Sequence, residues 1–407
     1  MPIKSPAAPP TILRVLTRLG SGGPPIHALL LTRELRNHGY RTYLAVGRCQ
    51  GDDGDMSYLL DPGDPICFVP RMSRSMLPWN DIRAFFHLLR LMRRLRPDIV
   101  HTHTAKAGAL GRVAAWFARV PVVVHTFHGN VLSGYFSAPV NAALAFVERA
   151  LARITSAICV VGPQQASEIA ERFRIAPRWK VNVIRLAIPT ESLRRISAPE
   201  MRPHSPTVGW LGRFVPIKNV ELLVHVVERT IAAVPDVRFV IGGDGPQRGQ
   251  IEALCARFPR HVAWTGWRND VLPLIQECSV LLQTSINEGT PLALIQGMAA
   301  GRPFISTRAG GTVDLAVGEA KTLSPGAAWH DNCILCDSDA DAVATAIARL
   351  FAQPSALRSM SASACAASAA YDASRLVHEV HELYTELLAD RRFPQRTRRG
   401  ILALRTP

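Results

Sequence analysis

The chain has 407 residues, 48% of them hydrophobic, and a formal net charge of +15. That length accommodates two ordinary α/β domains, each with a core of its own. No apolar run reaches the roughly eighteen residues of a membrane span, and the Pro- and Ala-rich first ten residues lack the apolar stretch of a signal peptide.

Strands and helices alternate along the whole chain. In the first half the expected strands are 12–19, 41–46, 66–69, 98–103, 122–127, 156–161 and 181–185. The helices between them are 26–38, 82–95, 108–119, 139–152 and 163–173. This is the pattern of a doubly wound parallel sheet. The first strand runs into Gly20-Ser21-Gly22-Gly23, where glycines let backbone approach a phosphate or sugar at a helix start. Alone, that turn serves equally well as a tight connection.

The segment 83–96 is a basic amphipathic helix, and the tail 391–407 adds Arg391, Arg392, Arg396, Arg398, Arg399 and Arg405. Two readings stand side by side. One is contact with an anionic membrane surface, where each basic residue contributes roughly 1 kcal/mol; the other is a solvated face of an Arg-rich chain. No nucleic-acid partner is expected, since no recognition module or aromatic–basic interleaving is present.

Four histidines, His101, His103, His125 and His128, fall near two adjacent strand ends. His101 and His103 share one face of a strand, which makes a metal site conceivable. No Asp, Glu or Cys ligand set accompanies them, so the expectation is that His128 faces a cleft as a hydrogen-bonding group and the others are structural.

Residues 197–206 are polar and hold Pro199, Pro203 and Pro206, as expected of an interdomain linker. The alternation then restarts with strands 207–211, 237–241, 262–265, 280–284, 304–306 and 333–335, and helices beginning near Val220, Pro246, Val271, Pro291 and Asp341. The expected organisation is an N-terminal domain (1–196), a linker (197–206), a C-terminal domain (207–370), a helix at 371–390 packing back on the first domain, and a basic tail (391–407). Two Rossmann-like sheets joined by a hinge face a cleft with their C-terminal strand ends.

In the second domain, Arg213 and Lys218 bracket the loop after strand 207–211; two fixed cations there would neutralise a diphosphate, while on their own they read as two surface charges. Gly242-Gly243-Asp244-Gly245-Pro246 and Thr265-Gly266-Trp267 end the next two strands at the same edge. Strand 280–284 leads to Glu288, with Thr290 expected to cap a helix, Pro291 at its first position and Gly301 at its left-handed stop. A helix start beside a sheet edge attracts phosphate.

Three patterns have structural explanations. Cys333-Ile334-Leu335-Cys336 suits a buried strand, and the eight scattered cysteines, Cys159 and Cys278 among them, suit buried reduced thiols in the cytoplasm. Asp337, Asp339 and Asp341 precede an Ala-rich helix that an Asp caps. Asp53 and Asp55 lie in a polar loop with no strand following.

Taken together, Gly212-Arg213 with Lys218, Gly242 to Pro246, Glu288-Gly289 with Pro291, Asp98 to Gly108 and His125 to Gly129 resemble the retaining glycosyltransferase family 4 with its GT-B fold, also called the "glycosyltransferase family 1" sequence group. The resemblance runs from about residue 12 to 388 and is most specific over 207–311; the two histidine segments resemble members building exopolysaccharide, capsule or lipid-linked glycans. It implies a nucleotide-sugar donor, a UDP-sugar first, and a glycan or polyprenyl-linked acceptor. The scattered cysteines point to the cytoplasm, and the membrane reading of the basic segments would place the chain on the cytoplasmic face of the inner membrane. Glu288, His128, Arg213 and Lys218 are the implied catalytic residues. Gly22, Gly23, Gly243, Asp244, Gly266, Trp267, Gly289, Thr290, Pro291 and Gln296 are the implied donor-binding set. No cofactor or metal is expected. Three departures stand out: Gln296 replaces the family's second glutamate, Gly22-Gly23-Pro24-Pro25 lacks an acidic residue, and Leu186-Ala187 replaces Asn-Gly. A sugar-nucleotide epimerase and a degenerate GT-B assembly partner are the rival readings.

Overall fold

The structure is a computed structural model and describes residues 9–20, 22–49, 54–73, 75, 77–129, 137–196 and 206–390. The expected linker, all but Pro206, and the tail 391–407 lie outside the described residues.

The first unit contains β1 (Thr11–Arg18), α1 (Gly23–Glu34), β2 (Arg41–Gly47), β3 (Ile66–Phe68), α2 (Pro78–Leu95), β4 (Ile99–His103), α3 (Ala105–Phe117), β5 (Val122–Phe127), α4 (Ala138–Arg153), β6 (Ala157–Val160), α5 (Pro163–Ser167), β7 (Val181–Val183) and α6 (Glu191–Arg194). Its strands form one sheet of order β3-β2-β1-β4-β5-β6-β7 with every ladder parallel. The central strands are buried on both faces: β1 is Thr-Ile-Leu-Arg-Val-Leu-Thr-Arg with seven of eight residues buried. The expected helix 163–173 is shorter: α5 passes at Glu168 into a π-helical turn, Glu168–Arg172.

The second unit follows with β8 (Thr207–Leu211), α7 (Val220–Ala233), β9 (Arg238–Gly242), α8 (Arg248–Arg257), β10 (Val262–Trp264), α9 (Leu272–Glu277), β11 (Val280–Gln283), α10 (Leu292–Ala299), β12 (Phe304–Thr307), β13 (Lys321–Ser324), β14 (Ala327–Trp329), β15 (Cys333–Cys336), α11 (Ala340–Phe351) and α12 (Pro354–Ala367). Its sheet order is β10-β9-β8-β11-β12-β15-β14-β13, parallel except for the β13–β14 hairpin, which turns antiparallel against β15. Both units reverse strand order beside their first strand, at β1/β4 and β8/β11. That is where a crevice opens at the carboxyl ends of the strands.

The last helix, α13 (Ala373–Ala389), returns to the first unit. Its Leu376, Val377, Val380, Leu383 and Tyr384 are buried with Ile12, Leu31 and Ile99. Each such side chain contributes roughly 1.5–3 kcal/mol by leaving water. The return is pinned by backbone: Ile188 N donates to Tyr371 O at 3.2 Å, and Arg375 Nη2 donates to Arg185 O at 2.9 Å and Leu186 O at 3.1 Å.

Candidate functional site between the two sheet edges

A cavity of about 490 Å³ opens between the C-terminal ends of the two sheets. The first unit lines it with Gly22, Gly23, Thr104, His125, His128 and Gly129, and the second with Arg213, Lys218, Gly243, Trp267, Glu288, Gly289, Thr290, Pro291 and Gln296. Asp244 and Gly266 are not among the lining residues. Asp244 Oδ1 accepts from Gly245 N at 2.7 Å and braces its own turn, while Gly266 O accepts from Gly243 N at 2.8 Å.

On the second unit's edge, Glu288 Oε1 gathers three donors: Lys218 Nζ at 2.5 Å, Ser285 Oγ at 2.5 Å and Gln283 Nε2 at 2.8 Å. Lys218 and Glu288 side chains keep only 19% and 12% of their exposure, so the pair is poorly screened by solvent. Lys218 ends a 3₁₀ turn, Pro216–Lys218, and Asn219 follows in a left-handed conformation whose side chain caps α7 through Leu222 N at 3.3 Å. Thr284 Oγ1 accepts from Trp210 Nε1 at 3.2 Å and donates to Lys218 O at 2.9 Å, tying the two loops together.

The helix beyond Glu288 starts later than expected. Pro291 is the N-cap of α10, Thr290 makes no cap, and its buried Oγ1 has no partner. The physical reason is the close approach of backbones upstream. An added Cβ on Gly289 would stand 2.9 Å from Gly129 Cα and 3.0 Å from His128 C, so only glycine lets the two units touch here. Gly301 ends the helical stretch with φ +70°, the left-handed stop anticipated for it.

On the first unit's edge, β4 and β5 deliver histidines side by side. His103 Nδ1 lies 3.0 Å from His128 Nε2. His101 stacks on His103 with ring centroids 4.4 Å apart, and is held at both nitrogens, by Tyr384 Oη and Thr126 Oγ1, each at 2.6 Å. His125 Nδ1 pairs with Thr102 Oγ1 at 2.9 Å. His27 of α1 closes the group, its ring 5.0 Å from that of His128. Burial pushes all five imidazoles below their usual range, His128 to about 3, and so keeps them neutral.

His27, His103 and His128 bring ligand-capable nitrogens within 4.8 Å of one another. This differs from the expected quartet: His101 and His125 are tied to hydroxyls, and His27, four residues beyond Gly23, takes their place. Nothing in its largely apolar context distinguishes it from a core residue. Three further lining residues had no signal in the sequence. Thr104 holds a strained φ of +66° at the end of β4. Glu148 is buried against Arg112 Nη2 at 2.7 Å. Arg268 lies beside Trp267.

The patterns set aside earlier have structural duties. Asp339 Oδ1 accepts from Ala342 N at 2.8 Å and caps α11, Asp341 pairs with Arg229 at 3.2 Å, and Asp337 pairs with Arg308. Cys333 and Cys336 are buried free thiols, with Cys336 pushed up to about 12 by burial. Asp53 lies outside the described residues.

Residues 21–192 match the profile of Glycosyltransferase Family 4, and residues 205–353 match that of Glycosyl transferases group 1. The chain is 27% identical over 275 residues to an Escherichia coli UDP-Gal:alpha-D-GlcNAc-diphosphoundecaprenol alpha-1,3-galactosyltransferase, covering 64% of this chain and 70% of that protein. It is 24% identical over 329 residues to the Bacillus subtilis putative glycosyltransferase EpsD, covering 77% and 82%. Its fold is similar to Anabaena Alr3699/HepE, solved in complex with UDP and glucose (TM-score 0.73, 19% identity, 92% of this chain and 99% of that one). Sucrose-phosphate synthase from Thermosynechococcus elongatus is also similar (TM-score 0.74, 19% identity, 93% and 99%). With two profiles matched in sequence order across both units, and a two-sheet architecture shared with GT-B structures, the chain belongs to the group 1/family 4 glycosyltransferases.

Proposed function

We propose that this glycosyltransferase moves a sugar from a UDP-sugar to a glycan or polyprenyl-diphosphate-linked acceptor in cell-surface polysaccharide synthesis, with retention of anomeric configuration. The observation that carries the reading is the Lys218–Glu288 pair at the floor of a cavity that His128 closes from the other unit. The donor diphosphate lies against Arg213 and Lys218, whose fixed charges stabilise the leaving group without a metal. Glu288 holds sugar hydroxyls, Gln296 the ribose, and His128 the sugar from the opposite side. A donor phosphate oxygen takes the acceptor proton in a front-face attack. Two relatives support the donor and acceptor classes: one is named for UDP-Gal and a diphosphoundecaprenol acceptor, and one was solved with UDP and glucose.

A lipid-linked acceptor fits a peripheral position on the cytoplasmic face of the membrane. Among the described residues no helix is long and apolar enough to cross a membrane. Helix α2 instead exposes Trp79 (79%) and Phe86 (58%) among exposed Arg83, Arg90, Arg93 and Arg94, an apolar–basic face suited to an anionic surface.

The test is transfer by the purified chain from a panel of UDP-, GDP- and ADP-sugars to a polyprenyl-diphosphate-sugar, with and without EDTA. The expected result is transfer from a UDP-sugar, anomeric configuration retained and EDTA without effect. Inversion, metal-dependent rescue, epimerisation of the donor, or no turnover with any donor would overturn the reading.

A further inference from the structure

The two strands that end at the cavity do more than present His128. His103 is the last residue of β4, is fully buried, and meets His128 through Nδ1 at 3.0 Å. Its own ring is fixed from behind. His101 lies against it at 4.4 Å with the planes 29° apart, and His101 is itself clamped by Tyr384 and Thr126. Tyr384 belongs to α13, so the helix that returns from the second unit anchors this stack. His27 closes the remaining side, 5.6 Å from His103 and edge-on. The arrangement leaves His128 Nδ1 buried and without a partner.

We infer that His103 is a positioning residue: its Nδ1 hydrogen bond to Nε2 holds the His128 ring in one orientation and complementary tautomer where that ring lines the cavity, so that the same ring edge meets the transferred sugar in every turnover. The inference rests on the proposed contact between His128 and the sugar. An imidazole free to flip would present Nδ1 or a C–H edge at random. A neutral imidazole partner fixes it without placing a charge beside the anionic donor.

A three-histidine metal site is the competing use of the same nitrogens. Charge disfavours it. The charged side chains acting on His27 are Arg14 and Arg375, both cations, and the cluster contains no carboxylate. A dication there would gain neutral imidazole ligands but meet two cations and no balancing charge.

The two amide substitutions of His103 separate the roles. Asparagine puts a polar atom where Nδ1 stands, and glutamine puts one where Nε2 stands. His103→Gln should lower kcat about tenfold or more with donor KM little changed, while His103→Asn recovers most of that loss at a similar melting temperature. Activities that simply follow melting temperature in both variants would reduce His103 to a packing residue and overturn the proposal. The 15N resonances of His128 give a readout independent of turnover: its bonded nitrogen should keep its shift in His103→Asn and lose it in His103→Gln. If His128→Ala turns over normally while those shifts behave as stated, the sugar contact fails and the hydrogen bond stands. One equivalent of zinc that survives dialysis and is lost in His27→Ala would overturn the proposal in favour of a metal site.

Discussion

The two sheet edges that face the cavity share a strand order but not a chemistry. The second unit presents charge: Arg213 lines the cavity, and Lys218 is locked to Glu288, which two neutral donors also hold. The first unit presents neutral rings, four buried histidines and the half-buried His128, hydrogen-bonded to hydroxyls or to each other or packed edge-on. The contrast teaches how one cleft serves two ends of a donor. A diphosphate needs fixed charge that requires no rearrangement when negative charge develops. A sugar and an acceptor hydroxyl need directional hydrogen-bonding groups, which in the proposed function the neutral rings supply from one side and Glu288 from the other.

The neutral edge should be the one that acid breaks, and this is the largest effect expected. His27, His101, His103, His125 and His128 would titrate near 6.5 in an unfolded chain and are held lower by burial. Below about pH 6.5 the unfolded chain therefore binds protons that the folded chain refuses. Their stabilisation is complete above about 6.5 and is lost as pH falls below it, for His128 down to about 3. Melting temperature should fall steeply between pH 7 and 5. A flat profile across that range would show that the rings are not neutral and buried together.

The charged edge should instead fail in turnover with the fold intact. Glu288→Ala and Lys218→Ala are each expected to slow transfer a hundredfold or more, about 3 kcal/mol, with near-native melting curves. Near-wild-type rates in both would remove this edge from the reaction. The smallest effect concerns Gln296, which lines the same side. If Gln296 binds ribose as proposed, Gln296→Glu turns a neutral hydrogen bond into a charge-assisted one, about 1 kcal/mol, so UDP should bind about fivefold tighter. Weaker binding of UDP to the variant would assign Gln296 a different neighbour.

The charged edge was far more legible in the sequence than the neutral one. Lys218, Glu288 and the glycine turns stand in short motifs between apolar strands, and motif spacing carries the geometry. The ion pair itself was not visible: two residues seventy positions apart meet because Trp210 and Thr284 fasten their loops. On the neutral edge, the spacing of His101 and His103 revealed a shared face, but His27 lies on a helix where a buried histidine looks like any core residue. The partnership with Tyr384 spans 283 positions and depends on where α13 docks. Secondary structure followed the same rule. Long buried strands were readable from their apolar runs, whereas the β13–β14 hairpin, with its exposed Lys321 and Thr322, lacks the signal. Thr290 failed as a cap because the Gly289 contact with His128 and Gly129 sets that turn, a tertiary constraint local propensity does not encode.

Calorimetry of UDP binding to wild type, Lys218→Ala and Glu288→Ala tests the proposed division of labour within the charged edge most directly. In the proposed function Lys218 holds the diphosphate and Glu288 the sugar, and the carboxylate competes for the same ammonium. The two variants should therefore move in opposite directions. Lys218→Ala weakens UDP about tenfold or more, and Glu288→Ala leaves it unchanged or tighter even though transfer is lost. Equal weakening in both variants, or no change in either, would contradict the account.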